Sequence, residues 1–269
     1  MNVHSISLKG RRDKNEDGHN IIVNSKGQNP QINNIDFFAI YDGHGGPEVS
    51  NYVKDNLPEY FIDKRIEYPL SKRYVFNVYD YIQNSLQNFQ PAQYSGSTGL
   101  VVIMFKHKGS LYLNIISNGD CRCILCRDNF ALPLTKDHKP HWPEERHRIE
   151  RAGGRISFDG YDYRISRGGS SLSVSRSFGD FDTVPYITHK PDIFRYALDT
   201  KDKFIVMACD GLWDVLKNDE VANFILTNCY DNTLNNRINQ QVNVAEKLAA
   251  YALDKGSTDN ITIIVIFLR

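Results

Sequence analysis

The stretch GLVVIMFKHKGSLYLNIISNGDCRCILCR, residues 99–127, decides the fold class of this chain. It holds three apolar runs rich in β-branched residues, separated by short turns at 108–110 and 118–120. Short turns between runs of this kind are typical of antiparallel hairpins. The stretch therefore predicts antiparallel β-sheet at the centre of the chain.

On either side of this stretch, predicted strands neighbour other strands along the chain, and predicted helices neighbour other helices. Further strands are predicted at 3–8, 19–23, 203–209 and 261–268, the first two flanking one loop as a neighbouring pair. Helices are predicted from apolar spacing and end signals at 47–64, 72–89, 143–154, 218–228 and 242–256. Strands that cluster with strands indicate an α+β protein. We expect two packed antiparallel sheets, a β-sandwich, flanked by helices in four layers.

Residues 155–175, rich in Gly, Ser, Arg and Tyr, are predicted to form a long surface loop or flap.

Composition excludes several classes of protein. The 269 residues carry a formal net charge of +0, so no overall field attracts nucleic acid or an anionic membrane. No apolar run reaches the ~18 residues of a membrane span, and the N-terminus lacks the apolar stretch of a signal peptide. We therefore expect an intracellular, cytoplasmic protein, with the nucleus as the alternative location. The five cysteines are an odd number and are expected to be free thiols in the core; a zinc site lacks a second ligand pair.

Acidic residues stand at the tips of separate apolar runs. They are Asp42, Asp120, Asp210, Asp259 and the pair Glu16–Asp17. Strand ends and strand starts of antiparallel neighbours share one rim of a sheet, so these carboxylates can converge there. Each Asp-Gly pair alone is explained as a turn dipeptide, but that explanation does not cover the whole set. A converging set forms an all-oxygen cage suited to hard divalent cations, which predicts a metal-dependent hydrolase.

The motifs around these acids resemble the protein phosphatase 2C family of metal-dependent serine/threonine phosphatases. In chain order they are RDKNED (12–17), DGHGG (42–46), SGST (95–98), NGDCR (118–122), TKDHKP (135–140), ERAGG (150–154), LSVSRSFGDFD (172–182), DGLWD (210–214) and STDN (257–260). Gly99 and Cys121 depart from residues common in the family, and neither position is a metal ligand. The resemblance covers nearly the whole chain, so we expect one catalytic domain, residues 1–269.

The resemblance implies a two-metal centre holding magnesium or manganese. In that centre Asp42 bridges both ions, Asp210 and Asp259 complete one site, and Glu16 with the Gly43 carbonyl serves the other. Asp17 orients metal-bound water. A hydroxide between the ions attacks phosphoserine or phosphothreonine directly, with no phosphoenzyme. Asp120 is expected either to hold a third, weaker ion with Asp210 or to cap a turn.

Two further residues are predicted to act on the phosphate. Arg12 is the expected phosphate clamp, with Arg11 as its rival, and His44 is the expected general acid for the departing alkoxide. Arg176 and Asp180 are expected either to join a buried polar network or to form an ordinary ion pair. His138 is expected to shape a turn.

The expected substrates are phosphorylated proteins, without nucleic acid or membrane as partners, and the expected state is a monomer. Two alternatives stand beside this one. A non-catalytic relative would keep the fold as a binding module, but such a protein should have lost metal carboxylates. Another two-metal phosphoesterase could act on nucleotides or nucleic acid, but the neutral charge balance counts against a nuclease.

Overall fold

The computed structural model describes residues 1–167, 170–230 and 242–268. The chain divides into two compact units. Unit 1 comprises residues 1–17, 122–135 and 198–269, and unit 2 comprises residues 18–121 and 136–197. No helix in the described ranges is long and apolar enough to span a bilayer.

The strands and helices are numbered along the chain. The strands are β1 (Asn2–Leu8), β2 (Gly18–Val23), β3 (Ile35–Tyr41), β4 (Gly43–His44), β5 (Gly96–Ser97), β6 (Gly99–His107), β7 (Ser110–Asn118), β8 (Arg122–Arg127), β9 (Phe130–Pro133), β10 (Arg155–Phe158), β11 (Tyr163–Arg167), β12 (Ser170–Leu172), β13 (Phe178–Gly179), β14 (Asp192–Ala197), β15 (Asp202–Ala208) and β16 (Ile261–Phe267). The helices are α1 (Glu48–Asn56), α2 (Glu59–Ile62), α3 (Lys72–Ser85), α4 (Pro143–Arg151), α5 (Asp210–Trp213), α6 (Asn218–Cys229) and α7 (Val244–Asp254). Short 3₁₀ turns lie at Gln90–Gln93 and Phe181–Thr183.

Unit 1 is built on a five-stranded antiparallel sheet in the order β1-β16-β15-β8-β9. Every residue of β16 is buried, as expected for a central strand made of Ile, Val, Thr and Phe. Alternate residues of β16, among them Ile263 and Val265, pack against Ile225 of α6 and Leu248 of α7. Burial of this apolar surface is the main stabilising term of the unit.

Unit 2 is built on a second five-stranded antiparallel sheet, in the order β14-β7-β6-β3-β2. Helices α1 and α3 cover one face of it through Val53, Val75 and Tyr79, which pack against Phe37 and Val101. The expected α+β class, with antiparallel sheets and helices packed on them, is confirmed. All five cysteines are free and buried, as expected.

Three sequence expectations differ from the structure. Residues 155–175 were expected to form an irregular loop or flap, but the strands β10, β11 and β12 within this range pair as a three-stranded antiparallel sheet. The strands β7 and β8 do not form a hairpin, because β8 pairs with β15 and β9. Likewise β1 pairs with β16 and β2 pairs with β3, so the loop between them does not close a hairpin. Turn length alone did not identify the pairing partner.

Candidate metal and phosphate site

A small sheet in unit 2 brings three of the predicted motifs together. It has the order β13-β5-β4 and unites DGHGG, SGST and SFGD in register, with His44 opposite Gly96 and Gly96 opposite Gly179. Asp42 lies just before β4, where its N–H donates to the Thr98 hydroxyl and its carbonyl accepts from the Thr98 N–H. The backbone on both sides of the Asp42 side chain is therefore held by a neighbouring strand.

His44 is paired with a buried carboxylate. Its Nε2 lies 2.8 Å from Oδ2 of Asp180, whose side chain is 1% exposed. The Ser177 hydroxyl donates to the same oxygen at 2.5 Å. A Cβ at Gly96 would lie 2.1 Å from this carboxylate oxygen and 2.6 Å from the imidazole nitrogen, so only glycine leaves room for the pair.

Asp120 is a second buried carboxylate of unit 2. Its side chain is 1% exposed, and the Lys139 ammonium lies 2.6 Å from its Oδ2. Neither carboxylate oxygen of Asp120 has an aligned hydrogen-bond donor among the described residues. Carboxylate oxygens of Asp42 and Asp120 lie within 4.8 Å of one another. The structure therefore brings these two predicted ligands together within their unit.

The turn that carries Asp120 is held by His138. The Gly119 N–H donates to the His138 Nδ1 at 3.0 Å, and the His138 N–H donates to the Gly119 carbonyl at 2.9 Å. The His138 Nε2 then faces Asp192 at 3.2 Å. The expected turn-shaping role of His138 is confirmed, and this clamp explains why the turn after β7 does not continue into a hairpin.

Arg176 and Asp180 belong to separate networks. Arg176 binds Glu145 at 2.7 Å and Asp192 at 2.9 Å, whereas Asp180 binds His44. Burial tends to raise the pKa of Glu145, but the hydrogen bond and charge of Arg176 outweigh it and hold that pKa at about 2. Both residues join largely buried polar networks, as the first expectation has it, but the two networks differ: Arg176 supports His138 through Asp192, and Asp180 supports His44.

In unit 1, the loop that holds Arg12 and Glu16 is fastened by one amide side chain. Asn260 donates from Nδ2 to the carbonyls of Lys9 and Lys14, and its Oδ1 accepts from the Glu16 N–H at 2.8 Å. Next to it, the Asp259 carboxylate receives the Arg12 guanidinium at 2.5 Å. The Arg12 side chain is 58% exposed, so its guanidinium is accessible from solvent while one of its nitrogens contacts Asp259.

Asp17 is buried at its carboxylate. The Thr262 hydroxyl donates to Oδ2 at 2.6 Å, Oδ1 has no hydrogen-bond partner among the described residues, and Cys209 Sγ lies within 4.8 Å. Burial raises the pKa of Asp17 to about 6; the Thr262 hydrogen bond opposes that rise, and the nearby carboxylates Asp259 and Glu16 add to it. A buried carboxyl of this kind favours a nearby cation.

Asp210 is the first residue of the short helix α5, which follows β15 directly. The Ser257 hydroxyl donates to the Gly211 carbonyl at 2.7 Å. A Cβ at Gly211 would lie 2.0 Å from the Asn260 carbonyl, so glycine is required where the DGLWD and STDN segments approach each other. Asp210 and Asp259 are thus carried on two tightly joined segments of unit 1.

The residues present fit a divalent metal by donor chemistry. The predicted ligands are carboxylate and carbonyl oxygens, which magnesium and manganese prefer. In addition, Asp17 and Asp120 each keep a buried carboxylate oxygen with no aligned donor. Such oxygens are costly to bury unless a cation compensates them.

Sequence reasoning missed several supporting residues. Lys139, Asn260, Thr262 and Cys209 were not singled out, and Asp180 was not linked to His44. Two of them had a visible signal, because Lys139 and Asn260 stand inside the family motifs TKDHKP and STDN. Thr262 and Cys209 lie in apolar strand segments, where a lone polar side chain is not distinguishable from ordinary strand composition.

Comparisons with known proteins agree on one family. A family model described as Protein phosphatase 2C matches residues 1–261. A PP2C-like domain-containing protein of Acanthamoeba polyphaga mimivirus is 46% identical over 171 residues, covering 58% of this chain and 93% of that protein. Protein phosphatase 1L of Bos taurus is 32% identical over 282 residues, covering 100% of this chain and 72% of that protein. The crystal structure of a serine-threonine phosphatase 2C from Toxoplasma gondii has a TM-score of 0.78 at 22% identity and covers 99% of this chain and 94% of that one.

Proposed function

This chain belongs to the protein phosphatase 2C family and is a metal-dependent serine/threonine protein phosphatase, and from that premise we propose how its own residues carry out the reaction. The observation that carries the proposal is the match of the family over residues 1–261 together with the presence of every predicted metal carboxylate. A non-catalytic relative is disfavoured because Glu16, Asp42, Asp210 and Asp259 are all retained.

Seven residues are proposed to hold or surround magnesium or manganese, two ions per site. They are Asp42, Gly43 through its carbonyl, Asp210, Asp259, Glu16, Asp17 and Asp120. When bound, a pair of divalent ions supplies a water of lowered pKa and neutralises phosphoryl charge. The buried carboxylate oxygens of Asp17 and Asp120 without an aligned donor support this assignment.

Arg12 is proposed to bind two oxygens of the substrate phosphate. Its side chain is 58% exposed and forms an ion pair with Asp259. A phosphoryl group offers two oxygens in the same bidentate geometry as a carboxylate and carries more negative charge. The Arg12 guanidinium can therefore turn from Asp259 toward the phosphate. Arg12 thereby orients the phosphate and offsets charge that develops in the transition state.

His44 is proposed to deliver a proton to the departing serine or threonine oxygen. The buried Asp180 fixes the imidazole by its 2.8 Å contact and stabilises the protonated ring. A serine alkoxide is a poor leaving group, so an imidazolium positioned to donate a proton accelerates its departure. Asp180 acts through His44 and is a positioning residue.

We further propose that residues 1–269 form one catalytic domain, that the protein acts as a monomer on phosphorylated proteins, and that it works inside the cell. The neutral charge balance supports the absence of nucleic acid and membrane as partners. The sheet β10-β11-β12 is proposed to contact the substrate protein.

Hydrolysis of p-nitrophenyl phosphate and of a phosphoserine peptide with added Mn²⁺ tests the proposal. Activity should vanish after chelation and return with Mn²⁺. Asp42→Asn should lower kcat by about three orders of magnitude, because a charged ligand is lost. Asp55→Asn is the matched control, since Asp55 is a 67% exposed aspartate of α1. Turnover that survives exhaustive chelation, or equal activities of the two variants, would refute the metal assignment.

A further inference from the structure

Lys139 occupies the position that a cation at Asp120 would need. Its ammonium lies 2.6 Å from Asp120 Oδ2, and the two side chains are 12% and 1% exposed. Because neither Asp120 oxygen has an aligned hydrogen-bond donor among the described residues, the contact depends on charge. Because the ammonium also donates to Asp162 at 3.4 Å, another cation can displace it from Asp120 while that second contact remains.

The ammonium also has a second carboxylate acceptor. Asp162, in the turn between β10 and β11, lies 3.4 Å from Lys139 Nζ and is 28% exposed. The Asp162 backbone is fixed by its N–H, which donates to Asp159, and by its carbonyl, which accepts from the Asp159 N–H. Lys139 therefore has an anion to retain when it leaves Asp120.

The backbone of Lys139 is fixed as well. It follows His138, which is hydrogen-bonded to Gly119 of the Asp120 turn in both directions. The Lys139 carbonyl accepts from the Trp142 N–H at the start of α4. Only the flexible side chain is able to move, so an exchange between Asp120 and Asp162 needs no change in the backbone.

We propose that Lys139 is an internal competitor for a divalent cation at Asp120. In the absence of that ion its ammonium neutralises Asp120; when the ion binds, the ammonium shifts to Asp162. A third ion therefore binds more weakly than the first two because it must displace Lys139. This inference rests on the proposed metal role of Asp120, and it adds a competing group and a receiving group, Asp162, to that role.

Titration of the intact protein with Mn²⁺, followed by isothermal calorimetry and by the paramagnetic signal of free Mn²⁺, tests the inference without an activity readout. Lys139→Met should tighten the third Mn²⁺ at least about tenfold, because an opposing unit charge a few Å away is removed. The first two ions should change by less than about threefold.

Asp162→Asn should act in the opposite direction. Without Asp162, the displaced ammonium has no carboxylate to receive it, so the third Mn²⁺ should bind several-fold more weakly than in the wild type. In the Lys139→Met background the same substitution should have no effect, because there is no ammonium to receive. A general loss of negative charge would instead weaken the ion equally in both backgrounds, and that result would overturn the proposal.

Lys136→Met is the matched control, because Lys136 is a 45% exposed lysine whose ion pair is with Glu144. It should leave all three affinities unchanged. If Lys139→Met leaves the affinity for the third Mn²⁺ unchanged, the inference is overturned. If two Mn²⁺ ions still bind tightly in that case, the proposed function stands. Failure of the wild type to bind any Mn²⁺ would overturn both. Should Lys139→Met fail to fold, Lys139→Gln supplies the uncharged background for both comparisons.

Discussion

Substituting Asp17 by asparagine should stabilise the metal-free protein. Burial raises the pKa of this carboxyl from 3.8 to about 6, the Thr262 hydrogen bond opposing the rise. Between these two pH values the folded state binds a proton that the unfolded state does not bind, so stability falls as pH rises through this window. Above pH 6 the penalty is complete, and a shift of this size corresponds to ~3 kcal/mol. Asparagine removes the charge and keeps an oxygen that accepts from Thr262.

Urea denaturation of chelator-treated protein measures this effect. At pH 7.5, Asp17→Asn should be more stable than the wild type by up to ~3 kcal/mol, and the gain should be about 2 kcal/mol smaller at pH 4.5. Asp13→Asn, an exposed neighbour in the same loop, should show no such pH-dependent gain. With saturating Mn²⁺ the order should reverse, because a cation compensates the wild-type carboxylate. A variant that is equally or less stable at pH 7.5 without metal would refute the reasoning.

Three other substitutions test the supporting contacts. His44→Ala should reduce turnover of a phosphoserine peptide about 100-fold more than turnover of p-nitrophenyl phosphate, whose leaving group needs no proton; equal losses would contradict the general-acid role. Asp180→Asn should lower kcat for the peptide about tenfold with KM within about twofold, and an unchanged kcat would exclude its positioning role. Glu145→Gln should lower the free energy of unfolding by about 3 kcal/mol at pH 7, because Arg148 and Arg176 lose their shared carboxylate. The difference in free energy of unfolding between the wild type and this variant should shrink as pH falls from 4.5 toward 2, where wild-type Glu145 takes up its proton. If urea denaturation shows no pH dependence of that difference, the ion pair is not stabilising.

The strongly apolar strands were predictable from the sequence. Strands β6, β15 and β16 are buried along most of their length, and such strands need continuous β-branched and aromatic runs. The polar edge strand β14, DIFRYA, was not predicted, since only its pairing with β7 defines it. The same applies to β10, whose residues are mostly exposed. An exposed strand lacks the apolar signal that identifies a buried one.

The predicted antiparallel pairing failed at the turn 118–120, and the reason is local. A turn between strands usually continues the ladder, but here both backbone polar groups of Gly119 bind His138, which is 19 residues later. Gly119 also has φ +120°, and a Cβ there would lie 2.5 Å from Thr98. A partner that far along the chain is not visible in the turn itself.

Among the candidate site residues, the acids were predictable and their partners were not. Asp42, Asp210 and Asp259 stand in motifs that identify them in the sequence. The pairing of His44 with Asp180 spans 136 positions, and that of Lys139 with Asp120 requires the His138 clamp. Such contacts depend on tertiary packing, which a motif does not encode.

Two non-acidic residues of these motifs, His138 and Asn260, have a common physical role. At the tip of a strand the ladder ends, and the backbone groups of the turn need other partners. In unit 2 the His138 side chain supplies one partner for the turn before Asp120, and in unit 1 the Asn260 side chain supplies three for the loop before Asp17. His138 and Asn260 therefore fix the backbone next to a carboxylate without contacting the carboxylate oxygens themselves. Because the backbone beside each carboxylate is already held in place, the carboxylate can exchange its side-chain partner for a metal ion without local refolding.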